Sequence, residues 1–180
     1  HLGNIYSLQG NYPKAVAAYK TYMAGGLYST DNLVHYASAL FFNKQYAESG
    51  KIISEGQAID PDNFLLKRLA IYNDYESKAY EKGLEEIETF FNNRDAKYIW
   101  QDYLYYGRLL NKAKQYDQAA DALQKAIKES SSHTEIYKDL AEVYSNSENN
   151  AEAIKAYTQY IEALGEESEA ADYYQLGKYY

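Results

Sequence analysis

Few side chains in this sequence could do chemistry, and they are scattered. The histidines are His1, His35 and His133, and there is no cysteine in the 180 residues. Neither a zinc cluster with Cys/His spacing nor a thiolate nucleophile can be assembled from such a set. A serine nucleophile on a strand-to-helix elbow would show as G-x-S-x-G, which is absent. Gly25-Gly26 lacks the Lys and Ser/Thr that complete a phosphate-cradling loop. The adjacent carboxylates Glu85-Glu86 and Glu166-Glu167 suit a solvated face rather than an acid/base pair. No catalytic set, metal or cofactor is expected, and the chain reads as non-enzymatic. What remains is aromatic: 23 tyrosines and Trp100, side chains that can stack on a ligand, fill a core, or anchor an interface.

Charge and hydropathy narrow the ligand classes. A formal charge of −8 and a pI near 4.9 argue against nucleic acid, whose phosphates demand clustered Lys and Arg. No run approaches the roughly 18 apolar residues of a membrane span, so membrane insertion is not expected. No targeting segment is legible, which leaves the compartment open. With 46% hydrophobic and 24% charged residues, two prolines and ten glycines, the composition is globular and favours helices over a loop-rich β fold.

The elements that position these side chains come from an internal repeat. Tyr12-Pro-Lys-Ala15, Tyr46-Ala-Glu-Ser49, Tyr80-Glu-Lys-Gly83 and Tyr116-Asp-Gln-Ala119 each set a small residue three places after a tyrosine, and Asn150-Ala-Glu-Ala153 keeps the small residue alone. Their first residues lie 34, 34, 36 and 34 apart. Upstream of each anchor comes a large residue followed by a tiny one: Leu2-Gly3, Tyr36-Ala37, Leu69-Ala70, Tyr106-Gly107, Leu140-Ala141, and again at Leu176-Gly177. Large residues four before and three after the tiny one put one apolar face on a first helix. The tyrosine-small-large pattern does the same for a second. Short turns at Gln9-Gly10-Asn11, Asn43-Lys44-Gln45 and Lys112 to Gln115 join the two. Sixteen of the 23 tyrosines occupy these framework positions or their one-turn neighbours. The other seven, Tyr28, Tyr72, Tyr75, Tyr98, Tyr105, Tyr174 and Tyr179, are the better surface candidates.

This pattern resembles the tetratricopeptide repeat, with Asp60-Pro61-Asp62-Asn63 falling where that family carries its proline between repeats. The resemblance spans essentially the whole chain. It implies an all-α, right-handed superhelical solenoid of stacked antiparallel helix pairs. The implied boundaries are 1–28 for a partial first repeat, then 29–62, 63–95, 96–131 and 132–166, with 167–180 the first helix of a sixth. Repeat three departs from the pattern, with Asn73 in place of a large residue and a stretched junction at Asn92-Asn93-Arg94-Asp95. Ser132-His-Thr-Glu135 reads as a capping box, and Gly25-Gly26 and Gly165 as helix stops.

In such a solenoid the first helices line a concave groove suited to a peptide or partner helix. The tiny residues set the phase and select Asn4 and Ser7; Val34, Ser38 and Phe41; Lys67, Ile71 and Asp74; Leu104, Arg108 and Asn111; Lys138, Glu142 and Ser145. Phe41, Ile71 and Leu104 are candidates for apolar anchors, and Lys67, Arg108 and Lys138 for carboxylate contacts. The pairs Val34/Ser38, Lys67/Ile71, Leu104/Arg108 and Lys138/Glu142 do not match the Lys/Asn clamp of the family members that hold chaperone C-termini. The leading expectation is therefore a non-catalytic protein-interaction scaffold. Its rivals are a glycan or small-ligand module built on Tyr98, Trp100 and Tyr105, and an accessory repeat region of a larger enzyme. Leu2, Ile5, Leu176 and Tyr180, left partly uncovered at the two ends, add an expectation of end-to-end self-association.

Overall fold

The computed structural model describes residues 2–26, 29–93 and 96–180. His1, Tyr28, Arg94 and Asp95, named above, lie outside the described residues. Among the described residues there is no strand. The helices group into two compact units, His1–Asn92 and Asn93–Tyr180.

The first unit holds α1 (Leu2–Leu8), α2 (Tyr12–Ala24), α3 (Thr30–Phe42), α4 (Tyr46–Ile59), α5 (Phe64–Glu76) and α6 (Tyr80–Phe90). Each helix packs on the next in sequence, and the first helices also touch one another, α1 on α3 and α3 on α5. The second unit holds α7 (Trp100–Lys112), α8 (Tyr116–Glu129), α9 (Glu135–Asn146), α10 (Asn150–Leu164), a short 3-10 turn (Gly165–Glu167) and α11 (Ala170–Gly177). Sequential packing repeats here, with α7 also touching α9.

The turn inside each pair has one design. The residue just past the first helix takes a left-handed backbone: Gly10 (φ 69°), Lys44 (60°), Lys78 (66°), Lys114 (61°) and Glu148 (62°). The amide of the following residue bonds five residues back, as Gln45 N–H does to the Leu40 carbonyl at 2.9 Å and Gln115 N–H to Leu110 at 2.9 Å. These are the closing bonds of a helix C-terminal cap, and they satisfy carbonyls that would otherwise lack partners. Only glycine takes that conformation without cost; a lysine there is strained by about 1–2 kcal/mol.

Tiny residues earn their place by close approach. A Cβ on Gly107 would lie 2.6 Å from Leu123 Cγ and 3.1 Å from the Ala119 carbonyl, and one on Gly3 would lie 2.7 Å from the Tyr19 ring. Ser49 stands where the other repeats carry Ala or Gly; it is fully buried and donates its hydroxyl to the Ala37 carbonyl at 3.0 Å. Asn73 is less well served, since its Oδ1 is buried with no partner among the described residues.

Two local expectations need revision. The Ser132–Glu135 capping box does not form. Helix α9 starts at Glu135 after Thr134, which is itself helical in backbone and makes no side-chain cap, while Ser132 pairs with Ser130 at 3.3 Å. Capping by an aspartate three residues into the helix appears instead, with Asp102 accepting from Ile99 N–H at 2.8 Å and Asp172 from Glu169 N–H at 2.9 Å. Among the seven leftover tyrosines, Tyr72, Tyr105 and Tyr179 are buried rather than surface residues. Ser29 does cap α3, accepting from Asn32 N–H at 3.3 Å, and Gly26 and Gly165 carry the positive φ that their stop roles require.

Candidate interaction surface

In the first unit, the selected residues divide by burial. Val34, Phe41, Ile71 and Asp74 are buried. The Phe41 ring is enclosed by Phe42, Tyr46 and Tyr72 at centroid distances of 5.4, 5.6 and 6.4 Å. Phe41 and Ile71 are therefore engaged in packing and are not open anchors, which helical phase alone did not reveal. Asp74 pairs with Lys82 at 2.8 Å, and Lys82 also reaches Glu86 at 3.3 Å. Asn4 accepts the hydroxyl proton of Tyr19, and Ser7 also hydrogen-bonds that hydroxyl. Burial holds the Tyr19 hydroxyl above its ordinary pKa. Lys67 pairs with Asp62 at 2.8 Å, and Ser38 is half-buried.

In the second unit, Leu104 is buried at 3% exposure and, like Phe41 and Ile71, offers no apolar anchor. The polar candidates are knitted between α7 and α9. Arg108 grips Asp139 with Nε and Nη2, both at 2.7 Å. Asn111 donates to Glu142 at 3.2 Å and accepts from Asn146 at 3.0 Å, and Lys112 approaches Glu142 at 3.7 Å. Lys138 lies over the Tyr160 ring at 5.6 Å, and Ser145 is half-buried. Burial pushes the Asp139 carboxyl above the usual carboxylate range despite the guanidinium beside it, with Glu142 and Glu135 adding to the rise. Asp139, Lys112 and Asn146 were not selected from the sequence. A pairing offset of 31 residues, which links Arg108 to Asp139 and Asn111 to Glu142, is the signal that could have found Asp139.

The aromatics expected to serve a glycan are engaged within the fold, with Tyr98 and Trp100 half-buried. Trp100 stacks on His133 at 3.7 Å and 20°, Tyr105 is buried, and Tyr98 donates its hydroxyl to the Asn93 carbonyl at 2.7 Å. Among the described residues no three His, Cys, Asp or Glu side chains gather in metal-ligand fashion, and no helix is long and apolar enough to cross a membrane.

Comparison with known proteins agrees with this architecture. The tetratricopeptide repeat profile matches residues 110–175. No curated protein sequence matches the chain. Among solved structures, MamA 41-end from Desulfovibrio magneticus RS-1 aligns with a TM-score of 0.73 at 15% identity, covering 93% of this chain and 94% of its own. A second MamA, from AMB-1, gives 0.71 at 15% identity over 89% and 94%. The APC/C hetero-tetramer Cut9-Hcn1 gives 0.85 at 15% identity over 98% of this chain but only 34% of that one. At such identities the likeness speaks for the fold. Phased helix pairs in both units, the turn chemistry they share and the profile matched over residues 110–175 lead to one conclusion: the chain has a tetratricopeptide-repeat fold.

Proposed function

We propose that the chain is a non-catalytic protein-interaction scaffold whose first helices present a surface to a peptide or helix of a partner protein. The observation that carries this reading is the polar ladder across α7 and α9. Arg108 is held by Asp139, and Asn111 bridges Glu142 and Asn146. Donors and acceptors fixed in advance lose little conformational entropy when a partner's polar groups arrive. Fold alone does not assign function, so the claim attaches to this face.

Affinity capture with the full-length protein tests it. Glu142→Lys reverses the charge at the centre of the ladder at a half-exposed position, and it is expected to abolish capture of a specific partner while far-UV circular dichroism stays unchanged. Lys51→Glu, on the exposed side of α4, is expected to retain it. Equal capture by both variants would refute the assignment of this face.

A further inference from the structure

The polar ladder on α7 and α9 has a direction, and a carboxylate sets it. Glu142 accepts hydrogen bonds and cannot donate them, so Asn111 turns its amide NH2 toward it, donating to Oε1 at 3.2 Å. The Asn111 Oδ1 is then left to accept, and it takes an amide hydrogen of Asn146 at 3.0 Å. That in turn leaves the Asn146 Oδ1 without a partner among the described residues, at an exposed position. The second oxygen of Glu142 is open too. Asn111 and Lys112, at 3.2 and 3.7 Å, both address Oε1, and among the described residues no hydrogen bond or ion pair reaches Oε2. Glu142 and Asn146 stand four residues apart on α9, hence one turn from each other on the same face. The ladder therefore presents two acceptor oxygens side by side.

We infer that this pair of oxygens receives an arginine side chain of the partner protein. The inference rests on the reading of this face as the interaction surface and names what that surface takes. A guanidinium offers N–H donors in a planar fork and no acceptor, so it serves two oxygens on neighbouring side chains at once. A lysine ammonium is a compact and more strongly hydrated charge, less suited to bridging them. An incoming carboxylate would meet Glu142 and a carbonyl oxygen, and is repelled. The cations already present do not fill the place. Arg108 is committed to Asp139, which its Nε and Nη2 both reach at 2.7 Å. Lys112 opposes a second cation, but its 3.7 Å approach to Oε1 is a loose one, and its flexible stem lets it swing away. The Glu142 side chain is 52% exposed and open to the newcomer. The wider charge balance favours a cation as well, with 15 acidic against 10 basic residues from 93 to 180.

Side-chain amide NMR of the isotope-labelled 180-residue chain tests this with four peptides, acetyl-GSXSG-amide with arginine, lysine, citrulline or glutamate at the centre. The arginine peptide is expected to shift the Asn111 and Asn146 NH2 resonances saturably. Lysine is expected to bind at least about threefold more weakly, and citrulline and glutamate weaker still. Glu142→Gln should weaken arginine binding at least about fivefold and Asn146→Ala about threefold. Lys112→Ala, which removes the competing cation, should tighten it about twofold. Unspecific attraction to an acidic protein would instead hold lysine and arginine equally and ignore Asn146. The inference is overturned if no saturable shift appears at these amides, if lysine or citrulline binds as tightly as arginine, or if Lys112→Ala weakens binding. In each of those cases the interaction reading still stands where Glu142→Lys abolishes capture. Capture that survives Glu142→Lys removes that reading itself, whatever the arginine peptide does.

Discussion

Asn73 is the residue whose environment fits it least. Its Oδ1 is buried without a partner among the described residues, and an unsatisfied buried polar atom costs roughly 1–3 kcal/mol. Asn73→Leu restores the large apolar side chain of the other repeats and can extend toward Gly50, whose missing Cβ leaves room beside the Asn73 amide. It is expected to stabilise by roughly 1 kcal/mol, read as a higher midpoint in chemical denaturation; a lower midpoint would show the polar atom to be served by something else. Gly107→Leu should move the other way, by roughly 1–3 kcal/mol, because even a Cβ there meets Leu123 at 2.6 Å. Both positions were legible in the sequence, one as a break in the pattern and the other as its tiny member. The engagement of Arg108 with Asp139 was not, because helical phase locates a side chain on a face and says nothing of which neighbour's side chain reaches it.

Among the elements, the joint between α7 and α9 titrates. Burial raises the folded-state pKa of Asp139 above its unfolded value, so folding takes up a proton at intermediate pH. The resulting contribution to stability is fully present below the ordinary carboxylate value of about 4 and is lost as pH rises through the raised one. Glu86, on α6 beside Asp74, is raised by burial in the same sense. Thermal midpoints are therefore expected to rise on mild acidification from neutral pH toward the carboxylate range. Asp139→Asn should flatten that slope, and an unaltered slope would remove Asp139 as its source. The turns make a separate point. Lys114→Gly removes left-handed strain of about 1 kcal/mol and should raise the midpoint by a corresponding amount. The repeat cadence fixed the place of these turns and the run of the helices between them. It could not show that three lysines and a glutamate would accept positive φ there, since closing the helix end outweighs a local cost that composition does not reveal.

For the molecule as a whole, the sequence carried the architecture because a repeat states the same packing rule many times over. It carried less about the surface for a related reason. Phase puts Val34, Phe41, Ile71 and Leu104 each on one face of its own helix, but whether that face is covered depends on the neighbouring elements, and all four are buried. Exposed Leu2, Ile5, Tyr173, Tyr174 and Tyr180 lead us to expect concentration-dependent association of the 180-residue chain, visible as a rising weight-average mass in sedimentation equilibrium. A mass independent of concentration up to the millimolar range would exclude it. The spacing of the helices carries one more lesson. Within each pair the two helices are always separated by three residues, whereas between pairs the connection varies from Ile59–Phe64 to Phe90–Trp100. Guest sequences, such as an epitope or a reporter, should thus be spliced between pairs, where the backbone already accepts variable length. Even one extra residue inside a pair would throw the second helix out of register with its glycine seat.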